Sequence, residues 1–182
     1  MSTATQPVFT PEFAAAFRDL MAQSIRQELE TTKRVLAAVP DNCGDYRPAD
    51  KCRSGREIAW HIAKEDVLFL EQTYEGKFDF ADDRYNQEPK TIAEMVEWYD
   101  TNMRRVLASV LSLTPEQLLQ PLDFMGIVTL PRLQYLLLMN NHSVHHRGQL
   151  SVYLRPMGAK VPSIYGPSAD TELEESNASA AD

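Results

Sequence analysis

The chain has 182 residues, 43% of them apolar and 24% charged, and a formal charge of −8. That length suits one domain with a substantial core, and the composition is that of an ordinary globular protein. The acidic balance argues against duplex nucleic acid, which needs clustered Lys and Arg, and no apolar run approaches the ~18 residues that span a bilayer.

The stretch Met1 to Val8 has no basic region followed by an apolar segment, so no secretory signal is expected and the expected location is cytoplasmic. Residues 1–9 read as a flexible arm. Thr10, Pro11 and Glu12 then form a helix start: a capping hydroxyl, a proline in the first turn and an acid at the positive dipole end. The apolar spacing Phe13, Phe17, Leu20, Met21, Ile25, Leu29, Val35, Leu36 carries this helix towards Pro40. Residues 41–53, with Gly44 and Pro48, read as a connection. It holds Cys43 and Cys52, whose spacing fits neither a redox pair nor a zinc ribbon, and both read as free thiols.

Ser54 and Glu57 have the capping-box form and open a second helix that runs to Glu75 and Gly76. Ile58, His61, Ile62, Glu65, Leu68, Phe69 and Gln72 share one broad face of it. His61 is thereby expected inward, with Glu65 one turn later. Glu65 reads equally well as a partner for a surface lysine. Residues 77–90 are polar and read as a long crossover. Thr91 and Glu94 form a second capping box before a third helix to about Leu113, and Thr114 to Gln117 start a short extra one. Between Pro121 and Leu130, Gly126 separates two apolar runs and allows a small β-hairpin.

Pro131 opens the fourth long helix and Pro156 stops it at Arg155. It contains three of the four histidines. At 100° per residue, His142 and His146 lie about 40° apart, one turn from each other. Tyr135, Leu138, Met139, Leu150 and Tyr153 all fall within about 80° of His142, so the apolar stripe is expected to be centred close to the pair. His145 falls at its edge, and Arg147 and Ser151 fall on the opposite face, where Arg147 is expected to form an outer ion pair. A single inward histidine is more often a hydrogen-bonded core residue than a ligand. Three of them without a common partner would strand polar nitrogens at about 1–3 kcal/mol each, which favours a shared metal ion. Gln149 projects near the same face and can reach a metal-bound water or a substrate. Tyr153 reads as a core aromatic or as support for the site, and His145 as support or as a rival to His146. Trp60 and Trp98 read as core or dimer-contact residues. Beyond Gly166 the chain is acidic and apolar-poor, and residues 167–182 read as a disordered tail. Four long amphipathic helices without a substantial sheet predict an all-α four-helix bundle over residues 10–166.

The run from Ser54 through His61, the run His142 to Arg155, and the segment Val161 to Asp170 resemble the DinB/YfiT-like superfamily of metal-binding four-helix bundles. The resemblance extends over roughly residues 11–170. It implies an up-down-down-up bundle, with residues 77–90 as the long crossover. It implies a metal triad of His61, His142 and His146, and homodimers formed through helix faces. Three imidazoles suit zinc or nickel, with manganese or iron as alternatives, and leave a coordination position open. The resemblance further implies transfer or isomerisation chemistry with a low-molecular-weight thiol, or hydrolysis, on a small-molecule substrate. Glu65 and Gln149 are then the expected catalytic residues, with His145 and Tyr153 behind them. The alternatives are a stress-related structural metal protein without catalysis, and a helical interaction module without metal.

Overall fold

The computed structural model describes residues 9–79 and 81–171. The elements are α1 (Pro11–Ala37), α2 (Gly55–Glu75), α3 (Ile92–Leu111), the short α4 (Pro115–Leu119), β1 (Pro121–Phe124), β2 (Val128–Pro131) and α5 (Arg132–Leu154). The helix starts are written in the sequence. Thr10, Ser54, Thr91 and Thr114 each accept a backbone N–H three residues on. At the last three, Glu57, Glu94 and Gln117 return the bond. Gly76 ends α2 at φ 78, a left-handed conformation that costs glycine nothing.

Contacts between helices set their directions. Trp60 meets Trp98, Tyr99 donates to Asp66 and Arg105 pairs with Glu71, so α2 and α3 run parallel. His61 meets His146 while Phe69 meets Tyr135, so α5 runs antiparallel to α2. Glu28 pairs with Arg147, and Ala14 shares a cluster with Leu133, so α1 and α5 run parallel. The bundle is therefore up-down-down-up. A parallel α2 and α3 demand a long crossover, and residues 76–91 supply it. Arg84 ties this crossover to Glu75, and Arg56 donates to the carbonyls of Pro89 and Lys90.

The small hairpin pairs Leu122 with Leu130. Gly126 was its only sequence signal, yet Met125 also takes a positive φ of 57. The Asp123 carboxylate accepts the Gly126 N–H at 2.8 Å and holds the turn. Of the expected arm, only Phe9 is described; it stacks on Phe13 with ring centroids 5.2 Å apart. Of the expected tail, Asp170 accepts from Arg155 and from the Val161 N–H, and residues 172–182 lie outside the described residues.

The main core draws on all four long helices. Two expectations about faces are corrected. Phe13 and Leu20 on α1, and Leu138 on α5, are exposed rather than inward, at 45%, 63% and 40%. More consequentially, apart from Tyr135, which lies beneath the hairpin, the buried line of α5 is Leu133, Leu136, Met139, Ser143, Arg147, Leu150 and Leu154. That line is rotated by about 100° from the His142/His146 pair. Arg147, expected on the outer face, is 1% exposed. Its guanidinium is satisfied inside: it pairs with Glu28 at 2.5 Å and donates to Thr32 at 3.2 Å and to the Tyr165 hydroxyl at 2.6 Å. A charged residue so neutralised can occupy the core line, and its polar letter hid that line in the sequence. The rotation moves His142 and His146 from the core centre to the seam between α2 and α5.

Candidate metal centre

At that seam His61 projects from α2, and His142 and His146 project from successive turns of α5. One ring nitrogen from each lies within 4.8 Å of the other two. Nε2 of His61 and Nε2 of His146 are 3.2 Å apart. Two nitrogens each ~2.0–2.1 Å from a tetrahedral zinc stand about 3.3 Å apart, so this gap has the span of a shared ion.

The outer nitrogen of His146 is held in a way that leaves its inner one available. His146 Nδ1 bonds to Gln149 Oε1 at 2.8 Å, and the Gln149 amide nitrogen reaches His145 Nε2 at 3.0 Å. An amide oxygen only accepts, so His146 carries its proton on Nδ1 and presents a bare Nε2. Burial lowers the His146 pKa, and the bond to Gln149 partly offsets this. Burial also pushes His61 down to about 3, with the nearby charges of Arg53, His146 and His142 adding to the effect. Neutral imidazole is the form that ligates a cation.

His142 reveals a residue that sequence reasoning missed. Its Nδ1 lies 3.5 Å from Oδ1 of Asp66, and both atoms are buried without a hydrogen-bond partner. Asp66 is fully buried, and its Oδ2 accepts from the Tyr99 hydroxyl at 2.8 Å. The carboxylate thus stands against the Nδ1 edge of His142. Such carboxylate–histidine pairs orient metal ligands and raise their basicity. The orphaned pair of atoms fits a site that tightens around a cation. A signal was present: Asp66 falls about 40° from Ile62, in the middle of the apolar face of α2. A charge there is costly without a partner, so its presence marks one.

The remaining expected residues separate. Glu65 is one-third exposed; its Oε1 is 3.2 Å from Lys64 Nζ and 3.9 Å from His61 Nδ1. It therefore combines the lysine contact with a place behind His61. Gln149 is exposed, with both ends of its amide engaged by histidines, so it orients His146. His145 is exposed and meets His146 ring to ring at 4.9 Å. Tyr153 is half-buried and edge-on to Tyr46 at 5.9 Å. It lines an open cleft of about 640 Å³ that reaches His146.

Two measurements follow. Asp66→Asn keeps an acceptor for Tyr99 but removes the charge behind His142, and should weaken zinc binding about 10–100-fold in a chelator competition. An unchanged affinity would remove Asp66 from the site. The second concerns acidity. In unfolded chain His61 takes up a proton near pH 6.5, whereas in the folded chain it does so only near 3. Metal-free protein should therefore be most stable above about pH 6.5 and lose stability as pH falls towards 3. In His61→Phe that part of the acid sensitivity should vanish from the melting curves.

Four long helices around a half-buried cluster of three imidazoles define the class: a four-helix bundle with a histidine group capable of holding a metal ion. The chain belongs to the DinB family, whose model matches residues 1–176. It is 30% identical over 115 residues to the uncharacterised Bacillus subtilis protein YjoA, covering 62% of this chain and 73% of that one. It is 24% identical over 154 residues to the uncharacterised YrdA of the same species, covering 84% and 90%. Among solved structures it is similar to a DinB-like protein from Bacillus cereus, with TM-score 0.67 and 26% identity over 80% of this chain and 95% of that one. The crystal structure of YjoA shares the fold at TM-score 0.65 and 23% identity, over 81% and 99%. No helix among the described residues is long and apolar enough to cross a membrane.

Proposed function

We propose that His61, His142 and His146 bind one divalent transition metal ion, with zinc and nickel ahead of manganese and iron, and that the protein is a metal-dependent enzyme. The substrate class is a small molecule. The reaction is transfer or isomerisation with a low-molecular-weight thiol, or hydrolysis. The observation that carries this reading is the 3.2 Å approach of two Nε2 atoms beside an open cleft. An ion held by three imidazoles supplies a Lewis acid with an accessible position, able to acidify a water or a thiol.

The chain's own residues supply the rest. Gln149 keeps the His146 proton on Nδ1, and Asp66 aims His142. Glu65, one-third exposed beside His61, is the candidate proton acceptor. Tyr153 walls the cleft.

Elemental analysis of protein purified without a histidine tag tests the first half. About one transition-metal ion per chain is expected, and none would end the reading. Turnover of a panel of thiols with electrophiles, and of esters and amides, tests the second half. A structural metal protein instead predicts a large melting shift on chelation with no turnover under any loading.

The proposed partner is a second copy of this chain. Phe13, Leu137 and Leu138 leave an apolar face exposed along α1 and α5, around a cleft of about 330 Å³. Sedimentation returning only a 20.6 kDa particle at micromolar concentration would remove the dimer.

A further inference from the structure

The cleft that reaches His146 has a wall of unusual charge. Lys51, Cys52 and Arg53 line it from the loop before α2, and His146, Gln149 and Tyr153 line it from α5. The loop is fastened in place: Gly55 N–H donates to the Tyr46 carbonyl at 3.0 Å, and Arg56 N–H to the Gly44 carbonyl at 2.9 Å. Gly55 also lies so close to Met157 that a side chain there would meet its sulfur at 2.7 Å. Lys51 and Arg53 are thus carried on an anchored segment.

Neither cation has a hydrogen bond or an ion pair among the described residues. This stands out in a chain of net charge −8. Arg47 and Arg56, on the same loop and helix start, are neutralised by Glu57 and Glu88, and Arg147 on α5 and Arg155 just after it by Glu28 and Asp170. None of the described residues lining the cleft is acidic. The charge of Arg53 is felt at both His61 and His146, so it stands near the histidine cluster. Glu65, the carboxylate beside His61, is occupied by Lys64. An uncompensated guanidinium facing a cleft of ligand size, on the approach to a site that would itself be cationic, selects for an anion.

We propose that this cleft binds a small molecule carrying a carboxylate at one end and a metal-seeking donor at the other, with Arg53, assisted by Lys51, as the residue that recognises the carboxylate. The proposal rests on the metal reading above and adds the substrate's charge and the residue that reads it. Arg is suited to the task because its planar fork matches a carboxylate. Gln149 and Tyr153, both uncharged, border the path between the two ends.

The test uses cobalt-loaded, tag-free protein and two probes of equal length, 3-mercaptopropionate and 3-mercaptopropanol. Each is titrated while the thiolate-to-cobalt absorption band is followed. Wild type should bind the carboxylate probe about tenfold more tightly than the alcohol, a difference of ~1.4 kcal/mol. Arg53→Gln should erase that preference and leave the alcohol's affinity unchanged; Arg53→Lys should keep part of it. Arg53 is exposed, so its replacement should leave the melting temperature unchanged. Equal affinities in wild type, or an equal loss of both probes in Arg53→Gln, would overturn the proposal while the metal reading stands. Failure of cobalt to bind at one equivalent would overturn both.

Discussion

His61→Ala, His142→Ala and His146→Ala should each weaken zinc binding by more than ~100-fold, beyond what the loss of an orienting partner causes. The ligand atoms of the three imidazoles lie within 4.8 Å of one another with no described carboxylate in the group, so deleting one leaves at most two of these imidazoles for an ion. His145→Ala should cost at most about tenfold, because His145 touches the group only through Gln149 and ring contact. A competition with a chromophoric chelator would measure all four. A loss in His145→Ala equal to that in His146→Ala would mean that the wrong imidazole has been placed in the site. Melting gives a second readout. With free zinc at 100 times its Kd, wild type should gain ~2.7 kcal/mol, or about 5–10 °C, and the three ligand variants should gain little.

The largest effect on stability is expected at Arg147. Its guanidinium is 1% exposed and bridges α5 to Glu28 and Thr32 of α1, beneath the Tyr165 ring at 5.2 Å. Tyr165 closes the arrangement by donating its hydroxyl to Glu28 at 3.0 Å. Arg147→Ala leaves Glu28 facing a cavity with its partner gone, and removal of one member of a buried ion pair costs about 3–5 kcal/mol. For a chain of this length that is a fall in Tm of about 6–20 °C. The double variant Arg147→Met, Glu28→Leu should recover most of it, because a buried pair replaced whole by apolar side chains is near neutral. A single variant that melts within 2–3 °C of wild type would show that the guanidinium is solvated. The same substitution tests the rotation of α5: an Arg147 on the outer face would be dispensable.

Much of the fold was legible because its signals are local. Capping pairs such as Ser54 with Glu57 and Thr91 with Glu94 depend on residues three apart, and they placed the helix starts correctly. Pro131 and Pro156 bounded α5 for a similar reason: the proline ring excludes the preceding residue from the helix or removes a donor. The length of the crossover between Glu75 and Thr91 agreed with parallel α2 and α3. The hairpin was legible only in outline, since nothing in the sequence announces a positive φ at Met125.

The faces of α5 were misread for a physical reason. Periodicity treats Arg and Ser as outward, and Leu138 and Tyr153 as inward. Whether a polar residue can be buried depends on what waits for it across the interface. Glu28, Thr32 and Tyr165, far away in sequence, wait for Arg147. Asp66 was overlooked in the same way, because its partners Tyr99 and His142 come from α3 and α5.

From the sequence alone came the helix boundaries, the bundle and the three histidine positions, since each rests on neighbours within a turn or two of chain. Tertiary packing decided how α5 is turned, which carboxylate stands behind His142, and that the imidazoles meet at an open seam. Those outcomes depend on burial and pairing between helices, where the free energy of a charge is set by residues that no local pattern can name.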